Sequence, residues 1–121
     1  MSRDFRLDRV PVDVLAYEFA EETASALGRM GRALEAALAR LREFDAAHPQ
    51  ASLTESTLLT ESTLRSRRLL VREAGHALWM FVVQREACGL RNNRMLMRDY
   101  NVPGEVQLCM GPIITASPAA Q

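Results

Sequence analysis

The chain contains no lysine: all fifteen of its basic residues are arginine. This fits codon usage in a GC-rich genome and carries no functional weight. Cysteine is almost as scarce. Cys88 and Cys109 are the only two, too few for the disulfide framework that staples small secreted domains, so free thiols in a reducing compartment are expected. Aromatic residues make up only 6% of the chain, which suits helices better than sheets. The longest apolar run, Ala77 to Val83, has seven residues, far below the roughly 20 that a membrane span needs. The opening MSRDFRLDRV is charged and lacks the apolar core of a secretion signal. A cytoplasmic protein without membrane contact is the expectation. Glycine-rich phosphate loops are missing, and no Ser, His and acid fall at the spacing of a nucleophilic triad.

What is present reads as helix. Leu27, Met30, Leu34, Ala37, Leu41 and Phe44 alternate in steps of three and four, the narrow seam that two packed helices share. Pro11 and Asp13 supply helix-start chemistry upstream. Leu15, Phe19, Glu22 and Ala26 carry a stripe in shifted phase, with Glu22 where an apolar residue belongs. Pro49 stops this first helix, because proline disfavours helical geometry in His48 before it. Ser52 and Glu55 have the form of a capping box for the next helix. They open a duplication, LTESTL twice over from Leu53 to Leu64. A six-residue shift turns a helix by about 240°, so the two copies cannot face one partner.

From Ser52 to Cys88 one long second helix is expected, closed by Gly89 with Leu90 making the accompanying apolar contact. Asn92 or Asn93 then caps a short helix over Met95 to Asp99. Asn101 to Pro103 turns the chain, and Pro103 to Met110 forms a last helix before Gly111 and Pro112. The predicted fold is all-α: a long antiparallel helical hairpin plus two short C-terminal helices, one domain over residues 1–112 with a tail at 113–121. With the turn centred near residues 48–49, facing residues should have numbers totalling about 97.

The run ALWMFVV leaves no polar face, and a helix that is apolar all round must be covered all round. A strand here lacks a partner strand of similar strength. The C-terminal pieces can cover part of the run, and a second copy of the chain can cover the rest. Leu78, Trp79, Phe81 and Val82 are therefore the expected interface of a homodimer or larger bundle, and the leading reading is a non-catalytic, self-associating interaction or scaffold module whose protein partner is open.

Two other readings follow from charged residues. Glu73 and His76, three apart on a helix, share a face. In ferritin-like di-metal proteins such a step on two helices combines with one Glu from each of two others. A dimer of hairpins would supply that set, and the expected register places Glu22 near the level of Gly75 and His76. Oxygen-rich ligation with one imidazole per ion would suit iron or manganese, or zinc. The plainer reading pairs Glu73 with an arginine. The charge distribution suggests the other alternative. Acids outnumber arginine ten to six from Asp4 to Glu55, whereas eight arginines from Arg65 to Arg98 face only Glu73 and Glu86. Arg65, Arg68 and Arg72 trace a stripe that could meet nucleic acid phosphates, or form a solvated face with Glu61 beside Arg65. The segment MLMRDYNVPGEVQLCM does not serve as a helix-turn-helix, since VQLCM carries no arginine to read bases.

Overall fold

A computed structural model describes residues 2–49 and 61–112 of the chain. Four helices follow in order: α1 (Ser2–Ala47), α2 (Glu61–Ala87), α3 (Asn93–Asp99) and α4 (Gly104–Leu108). No strand occurs among the described residues. The second helix therefore forms straight through the ALWMFVV run. α1 starts earlier than Pro11 and Asp13 suggest, at Ser2, and passes through Pro11. The duplicated LTESTL and the Ser52–Glu55 capping box lie outside the described residues except at the start of α2.

α1 and α2 form the antiparallel hairpin along the predicted seam. Leu34, Ala37 and Leu41, joined by Leu38, are buried against Val71, Ala74, Leu78, Phe81 and Val82. Leu27 and Met30 pack at the margin of this core. The register differs from the expected one. Asp45 meets Arg67 and Arg40 meets Glu73, so facing numbers total about 112 rather than 97. The earlier value assumed a turn centred near residues 48–49, and the observed pairings have their midpoint about seven positions later in the numbering; the expected start of α2 at Ser52 lies outside the described residues. Every residue of α2 thus sits about fifteen positions, or roughly four turns, from where a tight turn would have put it.

Local signals closed the helices as their chemistry requires. Gly89 has φ 87°, the left-handed conformation that glycine adopts without strain. The Leu90 amide donates to the Arg85 carbonyl at 2.8 Å and the Gly89 amide to the Glu86 carbonyl at 3.0 Å, the paired bonds of a Schellman end. Asn92 caps α3, its side-chain oxygen accepting from the Met95 amide at 3.0 Å. After Asn101, also left-handed at φ 55°, the chain doubles back and α4 lies against α2.

This return explains how the apolar run is sheltered. Leu96, Val102 and Val106 join the hairpin core from the C-terminal side. Two glycines make room for it. A Cβ on Gly75 would stand 2.5 Å from the Cys109 carbonyl oxygen, and one on Gly31 would stand 2.8 Å from the Tyr100 hydroxyl. Tyr100 meets the Phe81 ring edge-on at 5.6 Å. Its burial pushes the hydroxyl pKa up, with the nearby Glu35 carboxylate adding to the effect.

Candidate functional site

The expected interface residues divide unevenly. Leu78, Phe81 and Val82 are buried within the single chain, while Trp79 remains half-buried, tilted against His76 at 5.9 Å between ring centres. The cover that a second copy was expected to give these three comes from α1 and from the C-terminal return. Met80 and Val83 are the exposed members of the run.

The proposed metal ligands are held on different levels. Glu22 is bonded to Arg29 at 3.4 Å on an exposed surface of α1. Glu73 lies 4.0 Å from Arg40, the pairing of the plainer reading. At a register of about 112, Glu73 stands level with residue 39, so Glu22 is some seventeen positions, roughly 25 Å, farther along α1. Within one chain, no group of three His, Cys, Asp or Glu side chains among the described residues is placed to hold a metal ion. The His76 Nδ1 is buried and has no hydrogen-bond partner among the described residues.

Arg65, Arg68 and Arg72 are exposed on the outer side of α2. Their neighbour Arg67 behaves differently. Its Nε and Nη2 donate to the two Asp45 carboxylate oxygens at 2.8 and 3.1 Å, and its Nη1 and Nη2 donate to those of Glu105 at 3.0 and 2.7 Å. One guanidinium thereby ties α1, α2 and α4 together, with only 14% of its side chain exposed. The bond to Glu105, then the bond to Asp45, raises the Arg67 pKa further above its already high range. The same hydrogen bond holds the Glu105 carboxyl below the usual carboxylate range. The sequence carried a signal for this residue: Leu64, Arg67, Val71, Ala74 and Leu78 fall in steps of three and four, so Arg67 occupies an apolar stripe.

At the open end of the hairpin the packing stops before the apolar pattern does. Ala87, the last residue of α2, stands level with about residue 25 of α1, so the stretch from Val12 to Ala24 extends roughly 20 Å past it. Every residue from Val12 to Ala20 is exposed. Large apolar residues nonetheless continue there in shifted phase: at 100° per residue, Val12, Phe19 and Leu15 lie about 40°, 60° and 100° round the helix from Leu34. Val12, Leu15 and Phe19 are 63, 62 and 74% exposed. Where α2 leaves α1, a groove of about 420 Å³ opens between Phe19, Thr23, Ala24 and Leu27 on one side and Gln84 and Cys88 on the other. The ionisable residues on α1 from Val12 to Gly28 are Asp13, Tyr17, Glu18, Glu21 and Glu22, with no base among them.

Comparison with protein-family models, curated proteins and solved structures finds no match to this chain. None of the described helices is long and apolar enough to cross a membrane.

Proposed function

We propose that the protein works by association rather than catalysis, as a self-associating helical module whose contact surface is the projecting end of α1. The observation carrying this reading is the exposure of Val12, Leu15 and Phe19 together on the stretch of α1 that extends past the end of α2. Single exposed apolar residues are ordinary on protein surfaces, but a contiguous apolar face rimmed by charge marks a binding site. An isolated helix of this length is marginal in water, and packing of its apolar face on a partner would stabilise it.

This differs in place from the interface expected around Trp79, because the chain itself clothes Leu78, Phe81 and Val82. Light scattering of the full chain over a wide concentration range tests the reading. Mass rising with concentration above the 13.5 kDa of one chain is expected. A single species of that mass at every concentration would rule self-association out.

A further inference from the structure

We propose that the hollow between α3 and α4 is a site for a small phosphate ester that also carries free hydroxyl groups, a sugar phosphate by chemical class. Arg94 and Arg98 take its phosphate, and Asn93 accepts from a hydroxyl. Nothing in this site draws on the association proposed above.

One face of α3 builds it. Asn93, Arg94, Met97, Arg98 and Asn101 recur in alternating steps of one and three, so they share one side of the helix and of the turn that follows it. With Gln107 of α4 they line a hollow of about 580 Å³. Its lining holds two positive charges and no acid. Asp99 of the same helix lines a separate hollow of about 280 Å³ with Glu35, Arg42 and Tyr100, so α3 sets its arginines on one side and its acid on another.

The carboxylates nearest in the chain are engaged as well. Glu86 accepts from the Asn93 Nδ2 at 3.4 Å, and Glu105 is bonded to Arg67. Neither Arg94 nor Arg98 has an ion pair among the described residues, and both are exposed. Arginines four apart on a helix are neighbours, and their like charges repel. A phosphate monoester, with a charge of about −1.5 to −2 at neutral pH, replaces that repulsion by attraction to both. Each planar guanidinium can present two parallel N–H groups to its oxygens.

A second observation calls for a hydroxyl. The Asn93 Oδ1 is buried and has no hydrogen-bond partner among the described residues, a costly condition for an acceptor. The orientation of this amide is fixed, because its Nδ2 donates to Glu86 and a carboxylate can only accept. Oδ1 therefore needs a donor. A phosphate dianion has none to give, whereas a hydroxyl on the same ligand has. Gln107 is oriented in the same way: its Nε2 donates to the Val102 carbonyl at 3.0 Å, which leaves its Oε1 for a second hydroxyl. The half-buried Met97 offers the carbon skeleton an apolar floor.

Titration of the full chain with glucose 6-phosphate, inorganic phosphate and glucose, followed by amide chemical shifts, tests this. Glucose 6-phosphate is expected to give saturable shifts at Arg94, Arg98 and Asn101 with a dissociation constant of about 1 mM, and inorganic phosphate to bind about tenfold more weakly. Glucose alone should not saturate. Arg94→Ala and Arg98→Ala should each weaken glucose 6-phosphate about tenfold with an unchanged melting temperature, since both side chains are exposed. Asn93→Ala should reduce glucose 6-phosphate to the affinity of inorganic phosphate, and Arg68→Ala, on the outer side of α2, should change neither. Absence of saturable shifts, or binding that survives both arginine substitutions, would overturn the site. Equal affinity for glucose 6-phosphate and inorganic phosphate would overturn the hydroxyl contact and with it the ligand class. A DNA duplex that displaces glucose 6-phosphate and is itself lost in Arg94→Ala and Arg98→Ala would reject the small ligand in favour of a nucleic acid backbone.

Discussion

Leu34 and Phe19 are large apolar residues of the same helix, about 60° apart around it, and their surroundings are opposite. Leu34 is 0% exposed, enclosed by the facing helix, whereas Phe19 is 74% exposed. Each belongs to an apolar stripe of helical spacing, so spacing alone states which face of a helix wants cover and not whether the chain can provide it. The charges differ as well. The covered half of α1 and the helices against it exchange ions, through Arg40 with Glu73 and Arg67 with Asp45 and Glu105. The uncovered stretch from Val12 to Gly28 carries acids and no basic residue of its own, and its Glu22 pairs with Arg29 just beyond it. A closed, charge-matched stretch and an open, acidic one on a single rod set the part of α1 that folding uses apart from the part that the association proposed above would use.

The sharpest test of this contrast is truncation within the stripe. Leu34→Ala should destabilise the fold by about 2–5 kcal/mol, the range for a large aliphatic group deleted from a closed core. Urea denaturation with tryptophan fluorescence from Trp79 measures it. A loss below about 1 kcal/mol would mean that the hairpin core is not the stabilising unit. Next in size is Gly75→Ala. The added methyl would meet the Cys109 backbone, and because main chain cannot swing aside as a side chain does, a loss of about 1–3 kcal/mol is expected. The same substitution at Gly104, where a Cβ meets nothing within 4 Å, is the control and should change stability by a few tenths.

Arg67→Ala comes third, at about 1–2 kcal/mol. Its guanidinium is mostly covered, but Asp45 and Glu105 are 34 and 46% exposed and can be re-solvated once it is gone. The same cluster sets a pH dependence. The folded Glu105 carboxyl titrates below its ordinary range, so its contribution is fully present above about pH 4 and is lost as the pH falls through the depressed folded value. Denaturation midpoints measured downward from neutral pH should fall more steeply in the wild type than in Glu105→Gln. Parallel curves would show that this ion cluster is not what acid removes.

Several of these features were readable from residues alone. The seam from Leu27 to Leu41 was legible because burial selects a spacing of three and four, whereas Phe44, expected on it, stacks on His48. Asn92 and Gly89 were legible because helix ends have few chemical solutions. The register was not, since a seam repeating every three and four residues packs equally well when one helix slides along the other by whole repeats. With the register went the expected meeting of Glu22 with Glu73 and His76. Arg67 was hidden by its company: between Arg65 and Arg68 it resembles one more member of a charged band, although its position on the Leu64–Val71 stripe sets it apart. Nothing local marked Gly75, because the backbone that crosses it arrives from Cys109, thirty-four positions on. Uncovered apolar surface was legible only in part. Seven consecutive apolar residues drew attention to Ala77–Val83, where Leu78, Phe81 and Val82 are buried with Leu96, Val102 and Val106 while Met80 and Val83 stay exposed, and a further open stretch lies on α1, diluted by acids.

The smallest effect expected is also the one that separates the two ends of α1 most cleanly. Phe19→Ala removes a larger side chain than Leu34→Ala does, and by volume alone it should be the more damaging change. Since the Phe19 ring is already mostly in water, little apolar burial is lost in the isolated chain, and stability at low protein concentration should move by no more than about 0.5 kcal/mol. The two substitutions should then diverge with concentration: denaturation of the wild type should become harder as concentration rises, because association stabilises only the folded form, while Phe19→Ala should lose that dependence and Leu34→Ala should keep it. Measuring urea midpoints at two concentrations for the three proteins checks this. A Phe19→Ala protein that is as destabilised as Leu34→Ala when dilute would mean that the end of α1 belongs to the folded core of the single chain, and the distinction between the two halves of the helix would no longer stand.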